Sequence, residues 1–415
     1  MNDKTTRVDT DATLSYGGSL PGHFYSDAAI FAADLGFLCD TQWMLIDHAS
    51  RIPNPGDYFL FAVGKENLII IRDRENAVHA FYNVCRHRGS RICREKDGHV
   101  NLLVCPYHSW SYALEGQLRG AASMADNFEK SRYSLRSAHL RVEQGFIFIN
   151  LATAQPPDFG QFIDRTLPFL APHGFETARI ATRKTYPTDA NWKLVVENFL
   201  ECYHCKAAHQ TFCSVHSSEK LLAYGAGPGS ASHELATQFS SQLVTWEREA
   251  AAKGFFTGMF ADDWHAPYFQ SASRLPIGHG YATESVGGVP MAPLMGDYTQ
   301  YDYAQTAITL NPISHVLSSS DHAIAFRFTP RGPLTTDVEA IWLVRDSAVE
   351  GTDYDIAKLM RVWDVTLSED KVITEDNQAG VLSTAYTPGP HSRHEARITD
   401  FCAWYAEHRG VPINT

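Results

Sequence analysis

Two short motifs, each pairing a cysteine with a histidine, constrain this sequence more than any other feature. The first is Cys85-Arg-His87-Arg-Gly89, the second is Cys105-Pro-Tyr-His108, and seventeen residues separate His87 from Cys105. Thiolates and imidazoles bind transition metals, and soft thiolates suit one iron of a binuclear cluster while imidazoles suit the other. The motifs therefore predict a [2Fe–2S] cluster with Cys85 and Cys105 on one iron and His87 and His108 on the other.

A structural zinc site is the main alternative for these four residues. Zinc sites usually combine a C-x₂₋₄-C pair with an H-x₃₋₅-H pair, whereas here each cysteine is followed by its own histidine. The spacing favours the iron–sulfur cluster and leaves zinc open. Cys93 lies close in sequence but fits neither pattern, so we interpret it as a small buried apolar residue.

The motifs lie in a stretch of short β-rich runs that are separated by turn residues. We predict an N-terminal arm and helix at residues 1–42 that pack with the second domain, a small all-β domain at 43–153, and a second domain at 159–415. A linker containing Pro156 and Pro157 joins the last two. Runs of helix and of antiparallel strand after the linker predict an α+β fold.

A second candidate metal site lies in the stretch Glu201-Cys-Tyr-His204-Cys-Lys-Ala-Ala-His209. The pattern predicts a helix from Trp192 to about residue 208, on which Glu201 and His204 would share a face. His209 is off-register for a straight helix, so the helix must end or bulge between the histidines if both bind one metal. Two histidines and one carboxylate would leave open positions on Fe(II), as in the facial triad of non-haem iron oxygenases.

The C-x-H-x₁₇-C-x₂-H pattern, within Asn83-Val-Cys-Arg-His-Arg-Gly-Ser90 and Cys105-Pro-Tyr-His-Ser-Trp110, resembles the Rieske domain of ring-hydroxylating and related oxygenases. The resemblance runs from Leu20 to Tyr405 and is weakest between about 215 and 300. It implies an all-β Rieske [2Fe–2S] domain and a catalytic domain of helix-grip type, in which helices wrap an antiparallel sheet.

The resemblance also implies roles for single residues. Asp370 falls at the position of the carboxylate ligand, with Glu369 and Glu375 as competitors, so His204, His209 and Asp370 would bind a mononuclear Fe(II). Glu201 falls at the position of the carboxylate that links the first histidine to a Rieske histidine of the neighbouring subunit. Glu201 would thus connect His204 with His108 across a subunit boundary.

Glutamate at this position, in the string Glu-Asn-x-x-Glu-Cys-Tyr-His-Cys, resembles the branch that oxidises quaternary ammonium compounds. The chain would be a terminal oxygenase that uses O₂ and electrons from a separate flavin and iron–sulfur reductase, supplied by NAD(P)H. Hydroxylation of a small N-methylated substrate would lead to N-demethylation. Hydroxylation of an aromatic ring is the alternative, a Rieske electron carrier without an oxygenase site is another, and the implied assembly is a homotrimer.

A quaternary ammonium substrate would require a cage of aromatic rings. The candidates in the variable region are Trp246, Phe255, Phe256, Phe260, Trp264, Tyr268 and Phe269. The formal net charge of −12 disfavours nucleic acid and anionic membranes as partners. The polar N-terminus and the lack of a long apolar run predict a cytoplasmic protein. Its cysteines are then expected to be thiols or metal ligands, with Cys202 and Cys205 as packing residues.

Overall fold

A computed structural model of the chain describes residues 17–217, 220–221 and 233–410. In its first half the β-branched and aromatic runs form short antiparallel strands, as predicted. The strands are β1 (Met44–His48), β2 (Asp57–Val63), β3 (Glu66–Arg72), β4 (Val78–Tyr82), β5 (Asp97–His99), β6 (Leu103–Val104), β7 (Ser111–Tyr112), β8 (Leu118–Gly120), β9 (His139–Glu143) and β10 (Phe146–Asn150). They form a four-stranded sheet in the order β4-β3-β2-β5 and two three-stranded sheets, β1-β10-β9 and β6-β7-β8.

Strand β3 shows how this part is attached to the rest of the molecule. Successive side chains of a strand point to opposite faces of the sheet. Leu68 and Ile70 join the large apolar core that continues into the second half of the chain. Ile69 and Ile71 face a smaller core that surrounds the cysteines of the two motifs. One face of the sheet therefore anchors the β-rich part, and the other supports the candidate cluster site.

The second half is built on a seven-stranded antiparallel sheet in the order β11-β17-β16-β15-β14-β13-β12. Its strands are β11 (Ala178–Thr188), β12 (Gly258–Ala261), β13 (Ser271–Pro276), β14 (Ala304–Asn311), β15 (Ser314–Ser318), β16 (Ala323–Gly332) and β17 (Thr335–Arg345). The strands that the sequence predicts at 303–310, 322–329 and 338–345 correspond to β14, β16 and β17. Central strands β15 and β16 are buried along nearly their whole length.

Helices cover this sheet. They are α1 (Ala28–Thr41), α2 (Phe159–Ile163), α3 (Leu167–Leu170), α4 (Trp192–Phe199), α5 (Cys205–Ala208), α6 (Gln210–Val215), α7 (His233–Ala252), α8 (Ile356–Val381) and α9 (Ala396–Arg409). Helix α8 packs against α4, α6 and β11. The predicted α+β class, with an antiparallel sheet wrapped by helices, is confirmed. Within the described ranges, no helix is both long and apolar enough to cross a membrane.

Helix α1 ties the N-terminal segment to the second half of the chain. The Asp27 carboxylate caps its first turn by accepting the Ala29 N–H at 2.7 Å. The buried Asp34 carboxylate accepts hydrogen bonds from Tyr405 at 2.8 Å and Arg409 at 2.9 Å and also pairs with Lys193. The division at 1–42, 43–153 and 159–415 stays a prediction, and residues 1–16 of the predicted arm lie outside the described residues.

Candidate metal centres

The two cysteine–histidine motifs form turns of matching backbone geometry. The N–H groups of Cys85 and Cys105 each donate to the carbonyl five residues further on, both at 2.8 Å. Each cysteine carbonyl accepts the N–H of the residue four positions on, Gly89 and Ser109, both at 3.0 Å. Gly89 and Ser109 have positive φ angles of 76° and 57°, which let the turns close tightly.

These turns separate the thiols from the imidazoles. Cys85 and Cys105 are buried, with 3% and 2% of their surface exposed, whereas His87 and His108 are exposed. The two imidazole rings lie 4.7 Å apart between centroids. Two inner sulfur donors and two outer nitrogen donors are the donor set of a [2Fe–2S] cluster with unlike irons. The structure thus brings the four predicted cluster ligands together, and their arrangement fits that group.

Two further aromatic side chains support the turns. The Tyr112 hydroxyl lies 3.3 Å from the Cys85 sulfur and accepts the Arg86 N–H at 3.0 Å. Because that N–H occupies a lone pair of the oxygen, the hydroxyl hydrogen can point at the sulfur. The Trp110 ring stacks on His87 with a 4.8 Å centroid distance and a 9° interplanar angle. Sequence reasoning missed Tyr112, and its place on strand β7 beside the second motif was the available signal.

The other cysteines include one correction. Cys93 is buried, and burial raises the pKa of its thiol to about 11, in line with an apolar packing role. Cys202 and Cys205 form a disulfide, so the expectation that both are free thiols was wrong. Their spacing within one turn brings the Cα atoms to 4.9 Å, a distance that a disulfide can bridge.

The side chains of the second centre come from three segments: the turn after α4, the junction between α5 and α6, and helix α8. Helix α4 ends at Phe199, earlier than predicted, and the Glu201 carboxylate accepts the N–H groups of Tyr203 and His204. The predicted continuous helix was therefore wrong beyond Phe199. The predicted interruption between the histidines is confirmed, since α5 ends before His209, whose φ and ψ are −122° and 77°.

Three side chains converge from these segments. The Nε2 atoms of His204 and His209 lie 3.1 Å apart, and Oδ1 of Asp370 lies 3.4 Å and 2.9 Å from them. Two ligand atoms each roughly 2.1 Å from a metal and about 90° apart would be about 3.0 Å from each other. The spacing fits two imidazoles and one carboxylate as ligands of one metal ion.

Two glutamates bind the Nδ1 atoms of the histidines, on the side away from the proposed metal position. Nδ1 of His204 bonds to Glu201, and Nδ1 of His209 lies 2.9 Å from Oε2 of Glu369. A carboxylate at Nδ1 fixes the imidazole tautomer and directs the Nε2 lone pair towards the metal position. Glu369, a competitor for the ligand position in the sequence, thus has a supporting contact that the sequence analysis missed. Glu375 accepts the Asp189 N–H at 2.8 Å, and its carboxylate is not part of the converging group.

The electrostatics of the centre suit a cation. Burial opposes protonation of His204, but hydrogen bonds to Asp370 and Glu201 outweigh it and raise its pKa to about 9. The pKa of His209 is raised by the same balance, with Asp370 and Glu369 opposing burial. Burial would raise the pKa of Asp370, but its hydrogen bonds to the two histidines lower it. A divalent metal ion would replace these protons on binding.

A small cleft lies beside Asp370. Its lining includes the apolar side chains of Phe199, Phe328 and Leu367 and the polar side chain of Asn198. The cleft therefore adjoins one of the three converging ligands.

The aromatic residues that the sequence suggested for a cation cage contact other parts of the chain. Within the described ranges, none of these seven rings stacks on or hydrogen-bonds to His204, His209 or Asp370. Their contacts are Trp246 with the Asp302 carbonyl, Phe255 with Tyr298, Phe256 and Phe260 with Phe169, Trp264 with His265, Tyr268 with Phe162, and Phe269 with Phe401.

Comparison with known proteins agrees with both centres. Residues 42–136 match the Rieske [2Fe-2S] domain, and residues 175–410 match the family described as ring hydroxylating alpha subunit (catalytic domain). The glycine betaine monooxygenase oxygenase subunit of Chromohalobacter salexigens is 34% identical, over 94% of this chain and 85% of the relative. The protein of the same name from Pseudomonas aeruginosa PAO1 is 35% identical, over 94% of this chain and 88% of the relative.

Solved structures share the fold. A quaternary ammonium Rieske monooxygenase, CntA, has a TM-score of 0.71 and 21% identity, with 97% of this chain and 98% of that chain covered. Naphthalene 1,2-dioxygenase from Rhodococcus has a TM-score of 0.67 and 17% identity, with 94% of each chain covered. With matches to both family domains and a relative above 30% identity along nearly its whole length, this chain belongs to the Rieske non-haem iron oxygenases, as an oxygenase subunit that works with a [2Fe–2S] cluster, a mononuclear iron and O₂.

Proposed function

We propose that this oxygenase hydroxylates an N-methyl group of a small quaternary ammonium compound and thereby demethylates it. The observation that carries the proposal is the similarity, along 94% of the chain, to two oxygenase subunits named for glycine betaine. Carnitine monooxygenase oxygenase subunits are similar over 47% of the chain at 33% identity. Both names describe small compounds with a trimethylammonium group, whereas an anthranilate dioxygenase subunit matches at 28% over 46%.

In this enzyme the cluster would be bound by Cys85, His87, Cys105 and His108, and the mononuclear iron by His204, His209 and Asp370. When bound, the iron supplies the oxidising chemistry of dioxygen at a C–H bond. The chain contributes orientation, because Glu201 and Glu369 keep both imidazoles in the ligating tautomer. The methyl carbon would lie next to His204, His209 and Asp370.

The chemistry of the product gives the proposal a readout. One atom of O₂ enters the methyl C–H bond, and two electrons and two protons reduce the other atom to water. The resulting N-hydroxymethyl group is unstable and separates into the demethylated amine and formaldehyde. Formaldehyde, formed in equal amount to the amine, therefore distinguishes this reaction from ring dihydroxylation, which leaves both oxygen atoms on the substrate.

The electrons come from a separate reductase, and we further propose a flavin and iron–sulfur reductase that draws on cytoplasmic NAD(P)H, with a homotrimeric oxygenase. Four large apolar side chains around the cluster turns support a subunit contact there, since between 42% and 54% of their surface is exposed. They are Val84, Leu102, Val104 and Tyr107. A fold relative, 21% identical, has been described as transferring electrons between subunits. In this arrangement Glu201 would link His204 to His108 of a neighbouring subunit.

The test is a substrate screen with the purified oxygenase and a generic electron-donating reductase. We expect glycine betaine or a related N-methyl compound to give formaldehyde, demethylated product and oxygen consumption in equal amounts. Formation of cis-diols from arenes, without formaldehyde from any N-methyl compound, would overturn the proposal in favour of ring hydroxylation.

The variant His209→Ala separates an oxygenase from a simple electron carrier. If His209 binds the mononuclear iron, the variant should lose this iron and all turnover, while the visible spectrum of the cluster stays intact. Cys93→Ala is the matched control, because Cys93 is buried near the cluster but belongs to neither donor set. Turnover that survives in His209→Ala would contradict the proposed iron site.

A further inference from the structure

Two cysteines flank the proposed iron ligand His204 on the turn that follows α4. Cys202 precedes His204 by two residues, Cys205 follows it directly, and the two cysteines form a disulfide. The other six cysteines of the chain are free thiols. Cys205 is buried, at 4% exposed, whereas Cys202 is partly exposed. The oxidised pair therefore lies at the place where a thiol would meet oxidants formed at the iron site.

Backbone hydrogen bonds fix this turn without using either sulfur atom. The Glu201 carboxylate accepts two N–H groups of the turn, and the Cys205 N–H donates to the Cys202 carbonyl at 3.3 Å. The Cys205 carbonyl accepts the N–H of the second histidine, His209, at 2.8 Å. Because all of these bonds remain when the sulfurs are separate, the disulfide can form or open by rotation of the two side chains alone.

The metal ligands converge while the disulfide is present. With Cys202 and Cys205 joined, the Nε2 atoms of His204 and His209 lie 3.1 Å apart, and Oδ1 of Asp370 lies 2.9 Å from Nε2 of His209. Oxidation of the cysteine pair is therefore compatible with the ligand set of the iron.

The reaction of this enzyme family provides an oxidant beside the pair. When O₂ takes up two electrons and two protons and no substrate is hydroxylated, the product is hydrogen peroxide. Peroxide converts a thiol to a sulfenic acid, which a second thiol turns into a disulfide, whereas a thiol without a partner can proceed to irreversible acids. Hydrogen peroxide is small and would arise next to His204, so a neighbouring subunit would not keep it from Cys202.

We propose that Cys202 and Cys205 are a redox modification site that reacts with hydrogen peroxide released at the iron and so preserves the turn of His204. The Cys202 sulfur attacks one peroxide oxygen, the O–O bond breaks, and the other oxygen leaves as water with the thiol proton. The Cys205 sulfur then attacks the Cys202 sulfur, and the oxygen of the sulfenic acid leaves as a second water. The peroxide gains the two electrons that the two thiols lose, and a dithiol reductant reverses the change.

The test uses the purified holoenzyme, first reduced with dithiothreitol and desalted, and then treated with hydrogen peroxide. Tryptic cleavage after Lys193 and Lys206 releases one peptide that contains Cys202 and Cys205 and no other cysteine. By mass spectrometry we expect this wild-type peptide to lose two hydrogens and to regain them with dithiothreitol. The content of mononuclear iron should stay unchanged throughout, because the ligands converge in the oxidised form.

The variant Cys205→Ser removes the partner thiol and keeps the backbone groups of the turn. We expect its peptide to gain two or three oxygens at Cys202, and its loss of turnover to be irreversible with dithiothreitol. Cys213→Ser is the matched control, since the Cys213 thiol is also close and donates to the Cys205 carbonyl at 3.3 Å. This control should respond to peroxide as the wild type does.

Three results would overturn the inference: a wild-type peptide that gains oxygens as readily as that of Cys205→Ser, release of the mononuclear iron when the disulfide forms, or a Cys213→Ser variant that responds like Cys205→Ser. If Cys205→Ser does not fold, the wild-type peptide decides, since lost hydrogens support the inference and gained oxygens contradict it. The peptide mass does not depend on which substrate is hydroxylated, so failure of the proposed demethylation is distinguishable from failure of this inference.

Discussion

At the scale of single residues, the mononuclear centre depends on the carboxylates that orient its two histidines. Each imidazole uses Nδ1 for a carboxylate, Glu201 or Glu369, and keeps Nε2 for the metal. The two carboxylates differ in setting, because the side chain of Glu201 is 8% exposed and that of Glu369 is 37% exposed. A carboxylate that is screened by water orients its partner less firmly. The two positions therefore provide a matched comparison.

We predict that Glu201→Gln lowers turnover by about 10–100-fold, since a supporting carboxylate typically contributes this much. Glutamine keeps the size of the side chain and an oxygen for the turn, so the fold should persist. Stopped-flow measurement of cluster reoxidation, together with iron analysis, would show slower electron transfer at unchanged iron content. Glu369→Gln should have the smaller effect, and an equal or larger effect of Glu369→Gln would contradict this ranking.

At the cluster, the Tyr112 hydroxyl supports one sulfur. A hydrogen bond to a cluster sulfur stabilises the reduced, more negative form, so its loss lowers the reduction potential. For Tyr112→Phe, loss of about 1 kcal/mol corresponds to a potential roughly 40 mV lower. A redox titration followed by electron paramagnetic resonance measures the shift. An unchanged or higher potential would show that the hydroxyl does not donate to Cys85.

The sequence predicted which residues converge on the mononuclear site, but it did not predict the contact of Glu369 that supports His209. His204 and His209 stand in one short motif whose residue types and spacing carry the signal, whereas Asp370 was assigned by the family resemblance. The contact of Glu369 with His209 depends on how α8 is rotated against α6, and no local pattern fixes that rotation.

At the scale of elements, side chains decided where helices begin and end. The stretch after Phe199 contains no proline or glycine up to His209, so its pattern suggests a continuous helix. In the structure, the Glu201 carboxylate accepts N–H groups that a helix would use for its own bonds, and the chain turns. The long helix α8 was predictable, because its periodic pattern of buried residues extends over many turns.

Helix α1 offers a test of how strongly an element is attached. Asp34→Ala would leave the buried charge of Lys193 without its partner, which costs about 3–5 kcal/mol. Asp27→Ala, on the same helix, removes only a cap and should cost about 1 kcal/mol. Urea denaturation of both variants beside the wild type measures the difference in the free energy of unfolding. A cap variant as unstable as Asp34→Ala would contradict the proposed importance of the buried ion pair.

At the scale of the whole molecule, the exposed apolar side chains around the cluster turns predict an assembly. Val104→Glu places a charge within this surface, where 48% of the valine is exposed in the single chain. We expect the variant to dissociate at concentrations where the wild type remains associated, and to lose turnover with an unchanged cluster spectrum. Sedimentation velocity measures the first and visible absorption the second. Val372→Glu, at a 56% exposed valine on α8, is the control.

The unequal burial of the cluster ligands protects the enzyme from oxidation by O₂, its own reactant. Thiolates are readily oxidised to sulfenic and higher acids when they are accessible, and imidazole rings are far less prone to this chemistry. In this protein the two cysteine sulfurs are covered, and the histidine rings form the outer boundary of the cluster site. The enzyme therefore exposes the imidazoles, which resist oxidation, to dissolved oxygen and keeps the oxidisable thiolates buried.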